Sequence, residues 1–154
     1  MGVIGFVAAL ASPAAGGDWP FVWLAAAALA APCNVWLLAR KARHEGLSLL
    51  SGRGRVFVLA ILPPVVAGAV LTAVLLAGGH PELLPCVWLL LYGAGITTGG
   101  AASIAAVPLM GTLFMALGIV AAFAPATYGV PLLAVGFGGL HVGFGFWIGV
   151  RHGG

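Results

Sequence analysis

Charge is what this sequence has least of. Six Lys and Arg and three Asp and Glu make up 6% of its 154 residues, against 62% hydrophobic residues. A soluble domain carries roughly 25% charged residues, and a compact globule of this size needs polar groups to cover its surface. A water-soluble globule is therefore excluded, in line with a mean hydropathy of +1.18. Cysteine is scarce too. Cys33 and Cys86 have no metal-ligand spacing and form no disulfide framework, so both are expected to be small buried hydrophobes. The basic residues are clustered and do not form the extended face that nucleic acid requires, so no nucleic-acid partner is expected. The apolar segments hold no Asp, Glu, Lys or Arg, and the chain has no HExxH, no P-loop and no paired carboxylates. No enzymatic activity is expected. No polar stretch is long enough to fold as a separate soluble domain.

What is present is apolar length. A hydrocarbon core about 30 Å thick takes about 20 residues of helix. That ruler predicts an all-α polytopic membrane bundle of about six segments, near 3–15, 21–39, 56–78, 84–102, 104–124 and 130–150. The first is short, so the expectation is five full spans plus a short N-terminal one. "GGDWP", "GGHPE", "TTGGAAS" and "APATYG" punctuate the runs with Gly and Pro, which free or fix backbone dihedrals. The opening "MGVIGFVAALASPAAGGDWP" lacks the basic n-region of a signal peptide and is read as retained. Gly2 is not followed by a good myristoylation motif. Pro63 and Pro64 predict a kink in the third segment.

The longest polar stretch, "RKARHEGLSLLSGRGR" at 40–55, is read as a basic loop carrying Arg40, Lys41, Arg43, Arg53 and Arg55. With this loop in the cytoplasm, alternating crossings bring Arg151 to the same side and Asp18 and Glu82 to the other. The expected location is the bacterial cytoplasmic membrane with a cytoplasmic C-terminus. These arginines would attract anionic lipids. Trp19, Trp23, Trp36, Tyr128 and Trp147 lie near segment ends, where such rings prefer the headgroup level.

The last segment, "VPLLAVGFGGLHVGFGFWIGVRHGG", carries the candidate site. At 100° per residue, Ala134, Gly138, His141, Gly145 and Gly149 share one face. Gly136, Gly139 and Gly143 form a second small-residue face, with Phe137 and Phe144 between the two. Small-xxx-small spacing lets helices approach closely where lipid supplies no hydrophobic drive, so Gly136, Gly139, Gly143 and Gly149 are expected to pack neighbouring helices. His141 has three readings. It bonds to a neighbouring helix, with Thr97, Thr98, Thr112 and Asn34 as candidate partners. Alternatively, it lines a path for a proton or small solute. In the third reading it ligates a haem or chlorophyll, with Gly138 and Gly145 making room for the macrocycle. His80 and His152 flank segments at opposite faces and cannot join it in a metal site.

"ELLPCVWLLLYGAGITTGG" through "GFGGLHVGFGFWIGVRHGG" resembles a group of small bacterial multi-pass membrane proteins, most specifically at Gly136–His141. The resemblance covers roughly the last half of the chain and implies a multi-pass topology. The functional expectation is an accessory or scaffold subunit. It would pack against lipids, pigments and other integral membrane subunits or a second copy. A small transporter or channel, or a pigment-binding protein, each built on His141, are the alternatives.

Overall fold

The computed structural model describes residues 1–44, 52–101 and 103–152. Every regular element among them is helical. Residues 45–51 of the expected basic loop lie outside the described residues, as do the side chains of Lys41 and Arg53. Among the described residues five stretches are long and apolar enough to cross a membrane: Gly2–Leu37, Gly54–Ala77, Pro81–Gly100, Ala106–Phe123 and Ala126–Arg151. The protein is an all-α helical bundle.

The first stretch is a hairpin. Helix α1 (Gly2–Ala15) meets α2 (Trp19–His44) through a single 3-10 turn, Gly16–Asp18. Gly16 makes the reversal at φ 55°, a left-handed conformation that costs glycine little. The 14 residues of α1 reach about 21 Å at the usual rise per residue, short of the hydrocarbon core. Trp23 Nε1 donates to Ser12 Oγ at 3.0 Å, and Ser12 in turn donates to the Ala8 carbonyl at 2.7 Å. This chain of bonds ties α1 to α2.

Three further long helices follow, α3 (Gly52–Ala77), α4 (Leu84–Gly100) and α5 (Ala106–Phe123). The last helix has three consecutive pieces: α6 (Gly129–Leu133), a π-helical segment (Ala134–Leu140) and α7 (His141–His152). Polar residues extend α2 to His44 and start α3 at Gly52, beyond the apolar runs 21–39 and 56–78. A helix need not stop at the hydrocarbon border, because its backbone bonds are satisfied internally on either side. The stretch 40–55 is thus helical at both its described flanks, where a loop was expected. Helix α3 runs on through Pro63 and Pro64, and α2 through Pro32.

Helix α4 is the centre of the bundle, flanked by α3 and α5, and glycine sets the spacing on both sides. A Cβ on Gly99 would stand 3.0 Å from the Phe57 ring of α3. Across the other face, a Cβ on Gly93 would stand 2.7 Å from the Gly111 carbonyl, and one on Gly111 would stand 2.5 Å from the Thr97 nitrogen. Leu89, Phe114 and Leu133 are fully buried between α4, α5 and the last helix, and Ala8 and Trp23 complete the core. Trp23, expected at a membrane border, is therefore a core residue, because its N–H finds Ser12. Cys33 is exposed on α2, not buried, since this face of α2 meets no other helix of the chain among the described residues. Cys86 is half-buried, its thiol against the Leu83 carbonyl at 3.0 Å.

The contacts also give direction. Trp19 packs edge-on against Trp88 at 6.1 Å, and a Cβ on Gly129 would stand 2.8 Å from the Pro85 ring. Helix α2 and the last helix therefore both start where α4 starts, beside Asp18 and Glu82. Both run to the opposite end, where α3 begins. Arg40, Lys41, Arg43, Arg53, Arg55 and Arg151 all belong to that end.

Gly111→Ala is expected to push α4 and α5 apart and to cost about 1–3 kcal/mol, read from unfolding of the purified protein in an SDS titration. Gly143→Ala is the control: a Cβ there meets nothing within 4 Å. Its stability is expected to stay the same or rise by up to about 1 kcal/mol, the helix propensity gained.

Candidate functional site: an aromatic cage around His141

His141 opens α7, directly after the π-helical segment. In that segment the bonds run i→i+5, so each residue turns the chain by less than the step of an α-helix. Faces counted at 100° per residue go out of phase there, and the structure corrects the expected grouping. Gly136 and Gly138 are both buried. Gly136 lies against Leu89 and Phe114, where a Cβ would approach to 2.7 and 3.0 Å, and Gly138 lies under the Phe6 ring at 2.9 Å. Gly139, Gly143, Gly145 and Gly149 have nothing within 4 Å. Gly136 is thus separated from Gly139 and Gly143, and Gly138 from Gly145 and Gly149.

His141 turns inward. Its Nε2 shares a hydrogen bond of 2.8 Å with Tyr92 Oη of α4. Three rings enclose it. Phe137 stacks on it with 13° between planes and 6.1 Å between centroids, Phe114 meets it edge-on at 5.4 Å, and Tyr92 lies at 5.6 Å. Tyr92, Phe114 and Phe137 also pack on one another at 4.8–5.1 Å between centroids. Each contact is within the range in which aromatic pairs attract beyond area burial. Trp23 extends the cluster, 6.1 Å from Phe137.

The protonation pattern follows from counting partners. Among the described residues His141 Nδ1 is buried with no hydrogen-bond partner. If Tyr92 donates to Nε2, the imidazole proton sits on Nδ1 and one group is left unpaired. If Nε2–H donates to Tyr92 instead, both Nδ1 and the tyrosine proton are left unpaired. Buried unpaired polar groups are costly, so the arrangement in which Tyr92 donates to Nε2 and the imidazole proton sits on Nδ1 is the one that leaves fewer of them. The π-helical geometry accompanies this site, as single π turns often accompany specialised positions in helices.

None of the partners proposed for His141 from the sequence reaches it. Asn34 donates to the Ala30 carbonyl at 3.0 Å, Thr98 to Ala94 at 2.8 Å and Thr112 to Pro108 at 3.0 Å, each within its own helix. Thr97 Oγ1 is buried without a partner among the described residues. Tyr92 is the residue that the sequence reading passed over. It sits well inside an apolar segment, and a phenol so placed needs a partner for its hydroxyl. That signal was present. The space expected beside Gly138 for a macrocycle is occupied by Phe6, and the Nε2 that would ligate a metal is held by Tyr92. A recess of about 420 Å³ lies at the other end of α1, lined by Ala9, Ser12, Pro13, Trp19, Thr127, Val130 and Pro131, away from His141. No group of three or more metal-ligating side chains occurs among the described residues.

Tyr92→Phe is expected to leave both His141 nitrogens unpaired and to cost about 1–3 kcal/mol, measured by SDS or thermal unfolding. Adding His141→Phe to that variant removes the stranded imidazole and is expected to recover part of the loss. Additive losses in the two single variants would mean that the pair is not coupled.

Comparison with protein-family models, with characterised proteins and with solved structures gives no match.

Proposed function

We propose that the protein is a small membrane-embedded accessory or scaffold subunit that packs against another membrane helix through the outer sides of α7. The observation that carries this reading is the division among its glycines. Nearly everywhere else inside the described helices a glycine is pressed against a neighbouring element, as at Gly5, Gly93, Gly100, Gly111, Gly118 and Gly136. Apart from Gly16 and Gly17 in the 3-10 turn and Gly52 at the start of α3, the open glycines of the described helices lie on the last helix, as two pairs, Gly139 with Gly143 and Gly145 with Gly149. Four-residue spacing puts each pair on one side of a helix, and glycine there costs about 1 kcal/mol against alanine. Small-xxx-small pairs allow close approach of a second helix in lipid. Their neighbours Val142, Phe146 and Val150 are exposed large hydrophobics, suited to flank such a contact. His141, paired and enclosed, belongs in this reading to the core that holds α7 in phase.

The rest of the reading follows the charges. By the positive-inside rule, the end that carries the arginines faces the cytoplasm of a bacterial cell, and the C-terminus lies with it.

Gly143→Leu and Gly149→Leu, together and singly, are expected to abolish co-purification of the partner or the second copy after mild detergent extraction. They should leave helix content and the unfolding midpoint unchanged. Retention of the partner by the double variant would refute the reading. Cysteines placed at Arg55 and Arg151 are expected to react with an impermeant maleimide from the same side of the membrane.

A further inference from the structure

Two helices of this bundle end in the same way. On α2, the Arg40 guanidinium lies over the Trp36 ring, 5.6 Å from its centroid, and on α7 the Arg151 guanidinium lies over the Trp147 ring at 6.0 Å. Both pairs have four-residue spacing, both arginines follow their tryptophan, and both arginines are exposed. The distances match the range in which an aromatic face attracts a cation.

The two pairs also sit at one end of the bundle. Trp19 and Gly129 mark the common starting end of the two helices, through Trp88 and Pro85 of α4. Counted from those residues at about 1.5 Å each, Trp36 and Arg40 stand about 26 and 32 Å along α2, and Trp147 and Arg151 at most about 27 and 33 Å along the last helix, whose π-helical stretch rises less per residue. A hydrocarbon core is about 30 Å thick. Each pair therefore lies roughly one hydrocarbon thickness from the starting end, with the guanidinium one helical turn beyond the indole.

Helix dipoles alone do not account for the arginines. A cation is favoured at a helix C-terminus and disfavoured at an N-terminus. Arg40 and Arg151 obey this, but Arg53 and Arg55 stand in the first turn of α3, at the same end. The end of the bundle, and not the polarity of each helix, sets where the positive charge lies. Two of the three acidic residues, Asp18 and Glu82, are at the opposite end, and the third, Glu45, lies outside the described residues.

We propose that Trp36–Arg40 and Trp147–Arg151 are two matched clamps, each of which holds the phosphate of an anionic phospholipid headgroup at this border. The indole fixes one face of the guanidinium and its depth. The exposed guanidinium offers paired N–H donors to two phosphate oxygens, the geometry that favours arginine over lysine. The glycerol backbone then lies at the level of the indole, with the acyl chains along the exposed apolar sides of α2 and α7. The proposal stands whether or not a protein partner covers the glycine pairs of α7.

The test is native mass spectrometry of the full chain in detergent, titrated with dioctanoyl phosphatidylglycerol or dioctanoyl phosphatidylcholine. The wild type is expected to bind two molecules of the anionic lipid in preference to the zwitterionic one. Arg40→Gln and Arg151→Gln are each expected to weaken one binding step by about fivefold, and the double variant to remove the preference. Arg40→Lys keeps the charge but not the paired donors, and is expected to lose most of the same step. Trp36→Leu should weaken it as well. Unchanged circular dichroism and unfolding midpoints show that the variants are folded. Equal binding of the two lipids, full binding by the double variant, or displacement by inorganic phosphate at the lipid's concentration would each overturn the proposal, the last by pointing to a free-anion site. Full retention by both Arg40→Lys and Trp36→Leu would also overturn it, leaving general attraction to the positive end.

Discussion

The bundle depends on the close approach of α4 and α5. In lipid there is no gain from hiding apolar side chains, so helices hold together by van der Waals packing and by the few polar groups they share. Packing is strongest where backbones can touch, and backbones touch only where no side chain intervenes. Gly93, Gly100, Gly111 and Gly118 give α4 and α5 such contacts along nearly their whole length. Fixing that pair fixes the rest. It sets Phe114 and Leu89 in one plane of the core, and these fill the space that Gly136 leaves open. Gly5 of α1 then closes over the backbone of Phe137.

The aromatic cage depends on this arrangement. Tyr92 comes from α4, Phe114 from α5, and Phe137 and His141 from the last helix. A polar pair inside a membrane protein typically adds about 0.6 kcal/mol, so the Tyr92–His141 bond is a modest contributor to association. Its larger effect is on specificity. A buried imidazole that loses its one partner incurs the full penalty of an unpaired polar group, and this penalises any rotation or sliding of the last helix against α4. The rings around it are stiff and leave few alternatives.

The all-helical, membrane-length architecture was legible in the sequence because composition and run length report the solvent directly. The short first segment was legible for the same reason, and the apolar run 3–15 corresponds to the 14-residue α1. His141 stood out as a ring in a glycine-rich apolar run. Its partner did not, because a tyrosine is unremarkable in a list of aromatics until its depth is considered. The faces of the last helix were misread because a fixed angular step fails across a π-helical stretch, and nothing in "AVGFGGL" announces that stretch. Trp23 was drawn toward the border by its nearness to Trp19. Its real partner, Ser12, becomes adjacent only once α1 folds back at Gly16, a tertiary event.

The π-helical stretch has one further consequence. The part of the last helix before it is indexed by Gly129 and Leu133 against α4 and the core, and the part after it by His141 and Phe144. The wider turns between them act as a clutch, letting the two parts keep independent phases. Were all seven residues of Ala134–Leu140 wound as an ordinary α-helix, the clutch would be lost and everything beyond it would turn by about 100°, roughly one step of a 3.6-residue turn. The imidazole would leave the cage while the upper half stayed seated. The width of these turns is what aims the second half of the helix.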